Sequence, residues 1–209
     1  MTRMTSGLLA AAAVVAAVAV TSALAQQPQT VRVRGTVEKV EGDLLTVKSR
    51  DNTELKLKLK DNAVVRGIVK ASLADVKSGA MVGITSMPQA DGSLKAVEIH
   101  IFPAGQNVNQ NHFPWDLMPN SLMTNGRVET SVAAVDGQML TVEYKPRDKP
   151  ADQKKITVTP QTIIVGYVPA TKAELKPGVR IFVANAPRQP DGTLEVATIS
   201  YGKEVPPPM

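Results

Sequence analysis

Cysteine is absent from this 209-residue chain, which excludes disulfides, thiol nucleophiles, thiolate metal sites and a lipid-modified N-terminal cysteine. Aromatic residues make up 3% of it, and none lies between Arg34 and Ile101. A core built from that stretch must use Val, Leu, Ile and Met alone. Histidine occurs twice, at His100 and His112, short of the three or four ligands of a structural metal site. There is no G-x-S-x-G elbow, H-E-x-x-H helix or phosphate-binding glycine loop. Carboxylates such as Asp75, Asp91, Asp136, Glu174 and Asp191 fall at turn or cap positions that account for them without chemistry. The expectation is a protein that is not an enzyme.

What is present begins with an export signal. Arg3 supplies the positive n-region, Leu8 to Val20 the apolar core and Ala23-Leu24-Ala25 the small-x-small cleavage site. The expected mature chain starts at Gln26, in the periplasm or secreted. A retained anchor is the alternative, but the run is Ala/Val-rich and shorter than the roughly 20 residues of a spanning helix. Removing residues 1–25 leaves 184 residues and takes away one positive charge, Arg3, so the net charge falls from +5 to +4. That excess is too mild for a dedicated nucleic-acid binder, and no later segment is expected to be integral to a membrane.

The rest is a duplication. GDLLTV (Gly42 to Val47) aligns with GQMLTV (Gly137 to Val142), SLADVKSG (Ser72 to Gly79) with TKAELKPG (Thr171 to Gly178), and DGSLKAVEIHIF (Asp91 to Phe102) with DGTLEVATISYG (Asp191 to Gly202). The offsets grow from 95 to 99 to 100 residues, as insertions confined to hairpin turns would make them. In copy one, VRVRGTV, LLTVKS and ELKLKLK read as strands, the last with Leu55, Leu57 and Leu59 inward and Glu54, Lys56, Lys58 and Lys60 outward. AVVRGIV reads as a further strand before a helical turn. Ser72 with Asp75, and Thr171 with Glu174, have capping-box spacing, and Gly79 and Gly178 offer left-handed exits.

Five to six strands with one helical turn in about 70 residues suggest a small closed barrel of the OB type. The expected fold is all-β: barrel one over residues 31–102, a linker over 103–125, barrel two over 126–202 and a Pro-rich tail over 203–209. A lone unit of this size buries only roughly 60% of its chain's surface, a deficit that docking through the linker would relieve. GTVEKVEGDLLTV, ASLADVKSGAMVGI, DGSLKAVEIHIFP and above all the linker's HFPWDLMP resemble the exported bacterial proteins that carry domain of unknown function 5666. That resemblance implies an OB-like barrel and an extracytoplasmic location, and supplies no activity or catalytic residues.

Candidate sites cluster near the linker, which holds Trp115, Phe113 and His112 and begins beside Phe102. Phe102, Phe113 and Trp115 could stack on a ring of a ligand, or fasten the linker to one or both barrels. Lys56, Lys58 and Lys60, extended by Lys48 and Arg50, form a basic row for an anionic ligand, or a solvated row that keeps a sheet edge soluble. Glu98 and His100, expected on one strand face opposite Val97, Ile99 and Ile101, could join His112 and Asp116 around a divalent metal, with Met118 and Met123 as soft extras. The expected function is therefore an exported, non-enzymatic binding or envelope-accessory protein whose partner is a small ligand or envelope component, without a required cofactor. The alternatives are a periplasmic metal-binding protein and a structural adaptor that contacts another envelope protein.

Overall fold

The computed structural model describes residues 30–135 and 137–207; the expected export signal and cleavage site, Asp136 and the last two residues of the tail lie outside them. The chain is nearly all β, as expected, with strands β1 (Thr30–Glu41), β2 (Leu44–Ser49), β3 (Glu54–Lys70), β4 (Met81–Pro88), β5 (Leu94–Ile101), β6 (Asn111–Pro114), β7 (Leu122–Ala134), β8 (Gly137–Tyr144), β9 (Asp152–Val158), β10 (Ile163–Ala170), β11 (Arg180–Pro187) and β12 (Leu194–Gly202).

Hairpin chemistry sets the local order. Gly42 and Asn52 take positive φ in the turns on either side of β2, where a left-handed residue lets two strands reverse direction. The two 3-10 turns, Leu73–Asp75 and Lys172–Glu174, carry the expected caps: the Ser72 and Thr171 amides each donate to the carboxylate three residues on, at 2.9 Å. Gly79 and Gly178 are left-handed, and their amides donate to Val128 and Val37 at 2.7 and 2.8 Å.

Those last two bonds cross between the copies, and so does the whole fold. One five-stranded barrel closes as β1-β2-β3-β12-β11 and back to β1. The other closes as β4-β7-β8-β9-β5 and back to β4, with β6 added beside β7. Each barrel thus takes three strands from one copy and two from the other, in OB-type ring order. The expectation that residues 31–102 and 126–202 close separate barrels is corrected: the copies exchange their last two strands within one chain. We call the pair the terminal barrel (β1–β3, β11, β12) and the central barrel (β4–β9).

The cause is visible in β3. ELKLKLK and AVVRGIV, expected as two strands, form one 17-residue strand. The chain passes Asp61 and Asn62 without reversing, so β3 leaves the terminal barrel and delivers the first 3-10 turn, β4 and β5 to the central one. In copy two the same passage is made by β9 and β10 on either side of Pro160, a residue that cannot donate to a ladder. The two passages run antiparallel and pair from Val165↔Lys70 to Ala170↔Val65. Ile68 pairs with Tyr167, its own counterpart at the offset of 99 found for the helical turns. The pseudo-two-fold axis of the molecule runs through that pair.

Two cores follow. Val33, Val47, Leu57, Leu59, Leu175, Ile181, Leu194 and Ile199 fill the terminal barrel, and Val76, Ile84, Ile99, Leu140, Val142 and Ile156 the central one. The Leu57/Leu59 alternation is as expected. On β5 the phase shifts at a bulge between Thr85/Ser86, where Val97 is the extra residue. Ala96 takes the inward position expected for Val97, and Ile99 and Ile101 keep theirs. The described part of the tail is docked, not frayed: the Lys203 and Glu204 amides both donate to the Ile68 carbonyl at 3.1 Å.

Exchange makes each copy dependent on the other. A fragment of residues 26–105, made alone, should be unfolded or a strand-exchanged homodimer, and mixing with residues 106–209 should restore a one-to-one folded complex. Sedimentation and circular dichroism would decide, and a folded monomer of either fragment would refute the exchange. Gly35 and Gly126 cross their neighbours so closely that an added Cβ would press on the Lys48 and Glu143 carbonyl oxygens. Gly126→Ala should cost about 1–3 kcal/mol of overpacking in a denaturant melt.

Candidate ligand site between the barrels

Strand register brings the outer faces of the two barrels onto one cleft. On the terminal barrel the row Arg34, Phe182, Ser200, Arg66 runs across β1, β11, β12 and β3. On the central barrel the matching row is Asn125, Gly83, His100, across β7, β4 and β5. With Phe102, Trp115 and Tyr167, these side chains line a cleft of about 1140 Å³.

Its inner wall is a chain of polar groups. Glu98 and His100 do share a face, as expected, and they are buried, 3% and 6% exposed. β10 beside β5 and the opposing barrel cover them. His100 Nε2 lies 3.1 Å from Glu98 Oε1, and His100 Nδ1 lies 2.7 Å from the Tyr167 hydroxyl. Burial, followed by the negative charge of Glu98, holds the Tyr167 phenol well above its usual pKa, against a smaller opposing effect of Arg66. The neutral Tyr167 phenol is a hydrogen-bonding group at the cleft wall. Its ring stacks on His100 and on Phe102, each with centres 5.9 Å apart. The Phe102 ring rests on Gly83, where any Cβ would meet it.

The outer wall is the linker, which joins both barrels. β6 pairs with β7 of the central barrel. Trp115, four residues on from the start of β6, lies against the terminal barrel, edge-on to Phe182 and with the Arg32 guanidinium 3.9 Å from its ring centre. Phe113 packs edge-on to Trp115, behind the cleft and not in its lining. Asp116 bridges Arg32 and Arg34, at 2.9 Å to each. Burial raises the Asp116 pKa, but the hydrogen bonds and charges of Arg34 and Arg32 outweigh it and hold the carboxyl below its usual range.

The expected metal constellation is not assembled. His112 belongs to the row His112, Thr124, Ile84, Ile99, which faces the interior of the barrel, while His100 is on the outer face three strands away, on the order of 14 Å at ordinary strand spacing. His112 Nδ1 is instead 2.9 Å from the Thr124 hydroxyl. Asp116 is held by the two arginines, and among the described residues no group of three or more His, Cys, Asp or Glu converges. The basic row is also displaced. Lys56, Lys58 and Lys60 are exposed on β3, away from this cleft, and β3 is paired on both sides rather than at a sheet edge. Lys60 is bound to Glu195 at 2.7 Å, Lys48 sits opposite Glu54, and Arg50 reaches the Asp116 carbonyl. The six residues expected to bind ligand thus separate: Phe102 and Trp115 line the cleft, and Phe113 and the lysines do not.

Arg34, Arg66, Tyr167 and Phe182 were not among the sequence candidates. The signal for them lay in the differences between the copies. Tyr167 stands where copy one has Ile68, Phe182 where it has Gly83, and His100 and Arg66 where copy two has Ser200 and Val165. No protein-family model, curated protein or solved structure matches the chain.

The Asp116 clamp gives a pH dependence. Because its folded pKa is depressed, its contribution is present above the unfolded value of about 4 and is lost as pH falls through the folded value. Asp116→Asn should cost about 1 kcal/mol at pH 7, the upper end for a part-exposed ion pair, and nothing below that range. Urea melts at neutral and acid pH check this, and an equal cost at both would remove the ionic account.

Proposed function

We infer that this chain is an exported, non-enzymatic binding protein whose ligand lies in the cleft between the exchanged barrels. The observation that carries the reading is that cleft. It is of ligand size, it joins side chains from both barrels, β10 and the linker, and it combines aromatic walls with a few placed polar groups. Export is supported by the signal-like N-terminus and by the resemblance to exported proteins with domain of unknown function 5666. Among the described residues no helix is long and apolar enough to cross a membrane.

A second reading, an adaptor to another envelope component, has one observation in its favour: Val132 and Val135, near the tip of the β7–β8 hairpin, are exposed apolar side chains. The cleft is favoured because it is a built concavity with polar groups converging on it, and two valines at a hairpin tip are not.

Ala184 is exposed on β11 and lines the cleft, so Ala184→Trp should obstruct it without disturbing either core. A cleft ligand present at 100 times its Kd stabilises the fold by about 2.7 kcal/mol. Small-molecule fractions from the native compartment should raise the melting temperature of the wild type and leave Ala184→Trp unmoved. Stabilisation that is equal in both proteins, or absent in both, would sink the reading.

A further inference from the structure

The chemistry of the cleft narrows its occupant, an inference that rests on the binding reading above. We propose that the cleft takes a small ring compound bearing a carboxylate, with the carboxylate on Arg66 and the ring against Tyr167 and Phe102.

Charge selects the carboxylate. Among the described residues two arginines line the cleft, and no carboxylate does. Arg34 is engaged by Asp116, and the charge of Glu98 is directed to His100 behind the wall. Arg66 differs. Among the described residues its guanidinium has no carboxylate partner, and its hydrogen bond goes to the uncharged amide oxygen of Gln106 at 3.0 Å. A part-buried guanidinium has lost some of its water without gaining an anion, which is unfavourable until one arrives. A carboxylate matches its fork with two parallel hydrogen bonds. Gln106 belongs to the loop after Phe102, outside any strand, so its amide can give way to a stronger acceptor without breaking a ladder.

Geometry selects the ring. The Arg66 guanidinium is 5.9 Å from the Tyr167 ring centre, and Tyr167 and Phe102, whose rings lie 12° from parallel, both line the cleft beside the cation. Trp115 and Phe182 close the other side. The polar end of Tyr167 adds direction. In the tautomer whose Nε2–H donates to Glu98, His100 Nδ1 accepts from the Tyr167 hydroxyl, whose oxygen keeps a lone pair for a donor on the ligand. A hydroxyl on the ring, away from the carboxylate, completes the match.

The source of the ring separates by experiment. Calorimetry and Trp115 fluorescence of the full-length mature protein would be recorded with 4-hydroxybenzoate and its neutral counterpart 4-hydroxybenzamide, and with glucuronate and its neutral counterpart glucose. One carboxylate is expected to bind about 10-fold or more tighter than its neutral counterpart, as a charge-assisted bidentate pair requires. Which one binds says whether the ring is aromatic or a sugar. Arg66→Gln should abolish that preference, bringing the carboxylate's affinity down to about that of its neutral counterpart. Arg66→Lys, which keeps the charge without the fork, should restore part of it. Circular dichroism melts of both variants control for folding. Equal binding of charged and neutral members, or indifference to Arg66→Gln, would overturn the carboxylate assignment and leave the cleft reading standing. No saturable binding of any member below about 10 mM, a Kd too weak for a built site, would reject the ring carboxylate, and the Ala184→Trp comparison would then judge the cleft on its own.

Discussion

Everything in this molecule depends on the antiparallel pairing of β3 with β10. Each of these strands leaves one barrel and enters the other, and each does so alongside its counterpart, so backbone groups that would otherwise be stranded between domains are paired. The second half of β3 pairs in parallel with β12, and β10 with β5, so the crossing is also the seam along which both barrels are sewn. With Ile68 and Tyr167 at the axis, a change there acts on both barrels at once. The barrels are small, and aromatic groups are nearly missing from their cores. Sharing strands is how each obtains a closed ring and a buried interior.

The frame is symmetric and the cleft is not. Corresponding positions hold Phe182 and Gly83, Arg66 and Val165, Ser200 and His100. In the first two pairs, and in Tyr167 against Ile68, one copy carries the aromatic or cationic cleft side chain while its twin stays small or apolar. A pocket on a two-fold axis between identical copies would have two equivalent walls and suit a symmetric ligand. Divergence across the axis gives one wall that is cationic and aromatic and another that is a hydrogen-bonded Glu98–His100–Tyr167 chain. Such walls differ in charge and in hydrogen bonding, and would suit a ligand that has two different ends.

Much of the architecture was legible in the sequence, and the limit has a physical cause. Period-two alternation located Leu57 and Leu59, and capping spacing located Ser72–Asp75 and Thr171–Glu174, because these are local relations between neighbours. The exchange is not local. Strands of a duplicated barrel carry the same inward faces and the same register whether they close on their own copy or on the other, so the pattern is indifferent to the choice. What decides it is whether the chain turns back after Lys60, and Asp61-Asn62 contains no residue that compels either course. The β5 bulge was hidden for a similar reason, since Val97 is as apolar as the neighbours it displaces. Phe102 and Trp115 could be singled out by their rarity. Arg66 and Tyr167 could be found only by asking where the copies disagree.

The linker has a consequence for assembly. Strand exchange between equivalent units is ordinarily a concentration-dependent reaction, and with two units per chain it could run on from molecule to molecule. The segment from Phe102 to Asn125 ties the exchanging partners together, and its two moorings, β6 on β7 and Asp116 on Arg32 and Arg34, hold the tether in a single path. The correct partner is thereby kept at a local concentration that flexible tethers of this kind place in the millimolar range, far above that of any neighbouring chain. The clamp at Asp116 thus holds in place the tether that favours exchange within one chain over exchange between chains.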